Sequence, residues 1–109
     1  MDEAKLARTE SAFREVNEAI AQTAARFDAE ETDFVCECAD PDCALRVTAD
    51  LDEYDLIRED GRHFIVAPGH DEPEIERVIA RRGDYDVVEK VGEKVAAIVQ
   101  ALNPRAHPA

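Results

Sequence analysis

Over residues 3–29 the apolar positions Phe13, Val16, Ile20, Ala24 and Phe27 recur at three- and four-residue steps, with Arg14, Glu15, Asn17 and Glu18 between them. That period places the apolar residues on one face of an α-helix. The stretch has neither Gly nor Pro and is rich in Ala, so intrinsic propensity agrees with the pattern. It reads as one long amphipathic helix whose apolar stripe docks on its own domain, or alternatively on another protomer.

After the polar Glu30-Glu31-Thr32-Asp33 the pattern changes. Residues 34–38 have β propensity, Asp40-Pro41-Asp42 is a turn signal, and 44–48 alternate apolar with polar as a returning strand does. The pair predicts a hairpin with cysteines at its tip. Thr48 or Asp50 can then cap a short helix over 52–59, with Leu51, Tyr54, Leu56 and Ile57 on its apolar side and Gly61 ending it. Residues 63–67 read as a further strand, stopped by Pro68-Gly69. The segments 76–81 and 85–90 flank Arg82-Gly83-Asp84 and fit a second hairpin, although the first arm also fits a helix. Val95, Ile98, Val99 and Leu102 then fall at helical spacing before Asn103-Pro104 stops the run. These elements predict an α+β protein: a long N-terminal helix (1–30), a small, mainly antiparallel sheet followed by a C-terminal helix (31–104), and a frayed tail (105–109).

Length and charge narrow the classes. A chain of 109 residues suits one domain, and 45% hydrophobic residues suffice to fill an aliphatic core. Asp and Glu number 26 against 13 Lys and Arg, and the net charge of -13 repels phosphate backbones and anionic headgroups. Nucleic-acid and membrane binding are therefore disfavoured. The densest basic cluster, Arg77, Arg81 and Arg82, is interleaved with Glu74, Glu76, Asp84 and Asp86 and reads as a solvated mixed-charge surface. The N-terminal MDEAKLARTE lacks the apolar core of a signal peptide, and no stretch approaches the roughly 18 apolar residues of a membrane span. A cytoplasmic location is expected.

All three cysteines, Cys36, Cys38 and Cys43, fall within eight positions. An odd number suits no closed disulfide framework, and clustered thiols in a reducing compartment more often hold metal. On a strand Cys36 and Cys38 project from one face, and the Asp40-Pro41-Asp42 turn can swing Cys43 back toward them. Three thiolates and one further donor make a tetrahedral zinc site, one ion per chain, a zinc knuckle that pins the sheet. His70, in the loop after Pro68-Gly69, is the first choice of fourth ligand. His63, its direction set by strand alternation, is the second, and His107 in the tail is the least favoured. Asp40, Asp42 or a water would complete the site without a His, and an open position would point to catalysis. The C-x-C-x4-C spacing is not the paired C-x-x-C of most structural zinc sites. It also suits copper(I), and the same residues have a plainer reading as small strand residues and a turn thiol. Thiols this close also form a disulfide on oxidation and release metal.

No G-x-x-x-x-G-K-[ST], G-x-G-x-x-G, H-E-x-x-H or G-x-S-x-G is present, so nucleotide binding and the common hydrolase schemes lack support. Acidic pairs such as Asp52 with Glu53 and Glu30 with Glu31 read as a solvated face, and Tyr54 and Tyr85 as surface contacts or, more commonly, half-buried sheet residues.

The segments FREVNEAI, FVCECADPDC, LDEYDLIR, FIVAPGH and YDVVEKVGE, spread over most of residues 12–94, resemble those of a family of small uncharacterised actinobacterial proteins. The family's F-V-C-E-C-x-D-x-x-C and V-x-P-G-H elements fall here on Cys36, Cys38, Cys43 and His70. The resemblance implies a shared Cys3His site and carries no activity with it. The resulting expectation is a protein-interaction or regulatory module: a protein partner, basic to suit the acidic surface, or a homodimer through the Phe13-Val16-Ile20-Phe27 stripe. The rival expectations are a thiol-based redox or metal sensor and a small zinc enzyme.

Overall fold

Asp2 starts the first helix, its Oδ1 accepting the Ala4 N–H at 3.0 Å in place of the missing intrahelical partner. The computed structural model describes residues 2–105. Helix α1 (Glu3–Arg26) ends in a Schellman motif, with Asp28 left-handed at φ 52° and the Ala29 N–H donating to the Ala24 carbonyl at 3.0 Å. Strand β1 (Glu31–Val35) pairs antiparallel with β2 (Arg46–Asp50), Phe34 opposite Val47. Helix α2 (Leu51–Ile57) follows directly, and at its start the Asp50 N–H donates to Glu53 Oε1 at 3.1 Å, the capping-box contact. Strands β3 (His63–Val66), β4 (Glu76–Arg81) and β5 (Asp86–Lys90) form a second antiparallel sheet in the order β3-β5-β4, and α3 (Glu93–Ala101) packs on α1.

The fold is α+β as expected, with two small antiparallel sheets in place of one. The arm at 76–81 is a strand, not a helix. The cysteines sit past the end of β1 because the chain changes sheets there. The Cys36 N–H still bonds across the hairpin to the Leu45 carbonyl (3.0 Å), but the next one, on Glu37, donates to Ile65 of β3 (2.8 Å). Tyr54 and Tyr85 are fully buried rather than half-buried, Tyr54 stacked on Phe34 with ring centroids 4.2 Å apart. Arg105, placed by sequence at the start of the tail, bonds through its guanidinium to Glu18 and Asp55, each at 2.9 Å. Residues 106–109, with His107, lie outside the described residues.

The chief correction concerns the face α1 buries. The helix docks on its own domain, but Val16 is 48% and Phe27 79% exposed. The buried row is Ala7, Glu10, Arg14, Asn17, Ala21 and Ala24, also at three- and four-residue steps. Its charged members find partners inside. Glu10 pairs with Lys90, which also holds Glu76, and all three side chains are inaccessible to solvent. The Arg14 guanidinium donates to the carbonyls of Gly61 (2.8 Å) and Val99 (2.6 Å) and lies over the Phe64 ring. A buried polar group is tolerated when its hydrogen bonds are made, so these contacts set the rotation of the helix.

Burial pushes the Glu10 carboxyl well above its usual range, and Glu76 adds to the rise while Lys90 opposes it. A carboxyl raised on folding contributes stability below its unfolded pKa of about 4.3 and loses it as pH rises through the folded value. We expect Glu10→Gln, which keeps the neutral form, to leave the unfolding free energy at pH 7 unchanged or higher and to flatten its decline above about pH 4.3. Lys90→Met, which leaves Glu76 and Glu10 buried without their cation, should cost about 3–5 kcal/mol. Urea unfolding between pH 5 and 8 checks both.

Candidate metal centre

Three residues between the sheets supply two of the four donors. Residues 36–38 alternate like a strand, so Cys36 and Cys38 face one way and Glu37 the other. Glu37 is fully buried, and its carboxylate accepts from the Ile65 N–H (3.0 Å), the Tyr54 hydroxyl (2.9 Å) and the Asn17 side-chain amide (2.8 Å). Asn17 also brackets the end of β1, accepting the Val35 N–H and donating to the Val35 carbonyl, each at 2.8 Å. The segment carrying Cys36 and Cys38 is thereby fastened to α1, α2 and β3. Burial raises the Glu37 pKa, against the pull of its three donors and of Arg58.

The other two donors come from turns. Asp40 Oδ1 accepts the Asp42 N–H at 2.9 Å and the Asp40 carbonyl the Cys43 N–H at 3.1 Å, which brings Cys43 back as expected. At the end of β3 the His70 N–H donates to the Ala67 carbonyl at 2.9 Å across Pro68-Gly69, and Gly69 has φ +83°, the residue pattern of a type II turn. The Gly69 N–H donates to Asp86 of β5 at 3.2 Å, fixing the turn that presents His70.

His70 Nδ1 lies 3.8 Å from Cys36 Sγ and 3.7 Å from Cys43 Sγ, and the ligand atoms of Cys36, Cys38, Cys43 and His70 are all within 4.8 Å of one another. Zinc–sulfur and zinc–nitrogen bonds of about 2.3 and 2.05 Å at the tetrahedral angle give an S···N edge of about 3.6 Å. The cluster is thus at coordination size. Cys36 and Cys38 are buried, Cys43 and His70 half-buried. The Ala67 N–H donates to Cys36 Sγ at 3.0 Å, as it would to a thiolate. Burial pushes the Cys36 and Cys38 thiols up, and Cys43 opposes the ionisation of both, while Cys38 raises Cys36 and Cys36 pulls Cys38 down. A dication would remove that opposition.

His63 is not in the cluster. Its Nε2 lies 3.0 Å from Glu89 Oε2 and 3.6 Å from Asp60 Oδ2, a second set of close donors. Arg62 reaches Asp60 at 3.2 Å and Arg77 reaches Glu89 at 2.9 Å, so these carboxylates are already charge-paired. Asp40 and Asp42 stand outside the metal-sized group. Arg77 and Arg81 engage carboxylates of β5, in keeping with the mixed-charge surface. Glu37, Asn17 and Tyr54 were not foreseen as parts of the site. The alternation that puts both cysteines on one face puts Glu37 on the other, and a Glu aimed at the core was the available signal.

We expect Glu37→Gln, whose amide meets donors where an acceptor stood, to cost about 2 kcal/mol and to weaken metal retention. Gly69→Ala and Gly83→Ala should each cost about 1–2 kcal/mol, because both positions have positive φ and open space for a Cβ. Only the first should lower metal content, which denaturant titration and elemental analysis of the two variants would separate.

Comparison with known protein families, curated proteins and solved structures finds no match to this chain.

Proposed function

We propose that Cys36, Cys38, Cys43 and His70 bind one zinc ion per chain as a structural cross-link in a protein-interaction or regulatory module. The observation that carries this reading is the convergence of four donors from two separate turns and a sheet-crossing segment to within 4.8 Å. Four protein donors complete a tetrahedral shell, which favours a structural role over catalysis. Zinc would tie the loop between β1 and β2 to the end of β3, and such ligation adds directly to folding free energy. The net charge of -13 favours a basic protein partner over nucleic acid or lipid, and the thiol chemistry suits the cytosol. Among the described residues no helix is long and apolar enough to cross a membrane. We also propose membership of the actinobacterial family that the chain resembles, since its two motif segments are those that meet here.

A second reading has one observation behind it. Cys43 is half-buried while the other two sulfurs are enclosed, so an oxidant reaches it first. In that case the site senses peroxide by releasing zinc as a disulfide forms.

Elemental analysis of tag-free protein should find about one zinc per chain, lost in Cys38→Ser and His70→Ala and kept in His63→Ala. Chelation should lower the unfolding midpoint. Absence of metal, copper in place of zinc, or zinc retained in both ligand variants would overturn the proposal. Zinc released by peroxide and regained with reductant would support the sensor reading.

A further inference from the structure

Because α1 buries its polar row, much of its apolar stripe turns away from the core, with Val16 and Phe27 exposed, Phe13 and Ile20 half-buried and Ala24 buried. From Thr9 to Phe27 the side of the helix opposite Arg14 carries no charge, and Val16, Thr23 and Phe27 on it are exposed. With Ala19, Ile20, Ala24 and Thr32 of β1, Val16 and Thr23 line an open groove of about 580 Å³. Glu15 and Arg26 stand eleven residues apart, which brings them within about 20° of each other around the helix and so onto one edge of this face. Both are exposed, and among the described residues the ion pairs engage neither.

That charge pattern selects an occupant. Placed antiparallel about a two-fold axis near Ile20, two α1 helices set Glu15 of each copy against Arg26 of the other, and Phe27 near the second copy's Phe13. A parallel pair would carry this edge to opposite sides of the interface in the two copies and leave Glu15 and Arg26 unmatched. We propose that α1 pairs antiparallel with α1 of a second copy of this chain through the Val16-Ile20-Thr23-Phe27 face. The proposal rests on the chain being an interaction module and names the occupant of this uncharged face alone, leaving the acidic surface to a basic partner. Each copy carries a charge of -13, so long-range repulsion opposes pairing and salt strengthens it by screening. A basic protein partner would respond to salt in the opposite direction.

Sedimentation equilibrium of the full-length, metal-replete chain, in about 50 mM and about 500 mM NaCl, tests this. The expected result is a mass moving from one chain to two with concentration, and at lower concentration in the higher salt. Val16→Glu and Phe27→Ser should hold the mass at one chain while circular dichroism and metal content stay native. Glu15→Arg should weaken pairing severalfold, and adding Arg26→Glu should restore it. A one-chain mass under every condition, a dimer that survives Val16→Glu, or a charge-swapped pair that fails to recover would overturn the proposal. Metal content is read separately, so a monomer that holds zinc would sink this inference and leave the metal site standing.

Discussion

The Glu37 carboxylate is where the two sheets and two of the helices meet. It takes hydrogen bonds from Asn17 of α1, Tyr54 of α2 and the backbone of Ile65 in β3, inside a core that excludes water. Such bonds are strong in a low-dielectric interior and costly to leave unmade, so the carboxylate fixes three elements at once. The same residue lies between Cys36 and Cys38. Holding its side chain to one side holds both sulfurs to the other, toward Cys43 and His70, and the donor cluster inherits its geometry from a network on the other side of the chain.

Polar packing continues along α1. Phe64 lies beneath both the Arg14 guanidinium and the Lys90 ammonium, each 4.3 Å from the ring centroid, and Lys90 in turn meets Glu10 and Glu76. Contacts of this kind specify rotation more sharply than aliphatic packing, because each has one partner and one direction. The consequence reaches the surface. A helix whose polar row is buried turns Val16 and Phe27 to solvent, and the protein gains an uncharged face whose edge residues, Ile20 and Ala24, still pack inward.

The chain offers two groups of metal-sized donors, and their chemistry separates them. The carboxylates of Asp60 and Glu89 lie against Arg62 and Arg77, so a cation would have to displace guanidinium groups. No guanidinium pairs with the sulfurs of Cys36, Cys38 and Cys43 among the described residues: the Ala67 N–H donates to Cys36, and the Cys38 thiol points at the Asp40 carbonyl. Soft, enclosed sulfur with a His nitrogen suits zinc, and what such an ion would join is the hairpin loop and the end of β3.

Much of this was legible in the sequence because it depends on near neighbours. Turn residues marked the element boundaries: Asp40-Pro41-Asp42 returned Cys43, Pro68-Gly69 presented His70, Gly83 joined β4 to β5, and Asn103-Pro104 stopped α3. The three cysteines were therefore readable from type and clustering, and His70 stood first among candidate fourth donors that also included His63. The face of α1 was not, since Phe13-Val16-Ile20-Ala24-Phe27 and Ala7-Glu10-Arg14-Asn17-Ala21 satisfy the same helical period. The choice between them was made by the Val35 carbonyl, the Gly61 carbonyl and the Val99 carbonyl, 18, 47 and 85 residues from the side chains they receive. Local propensity acts over a turn or two of chain, whereas a buried charge is stable only where the tertiary structure supplies its partner.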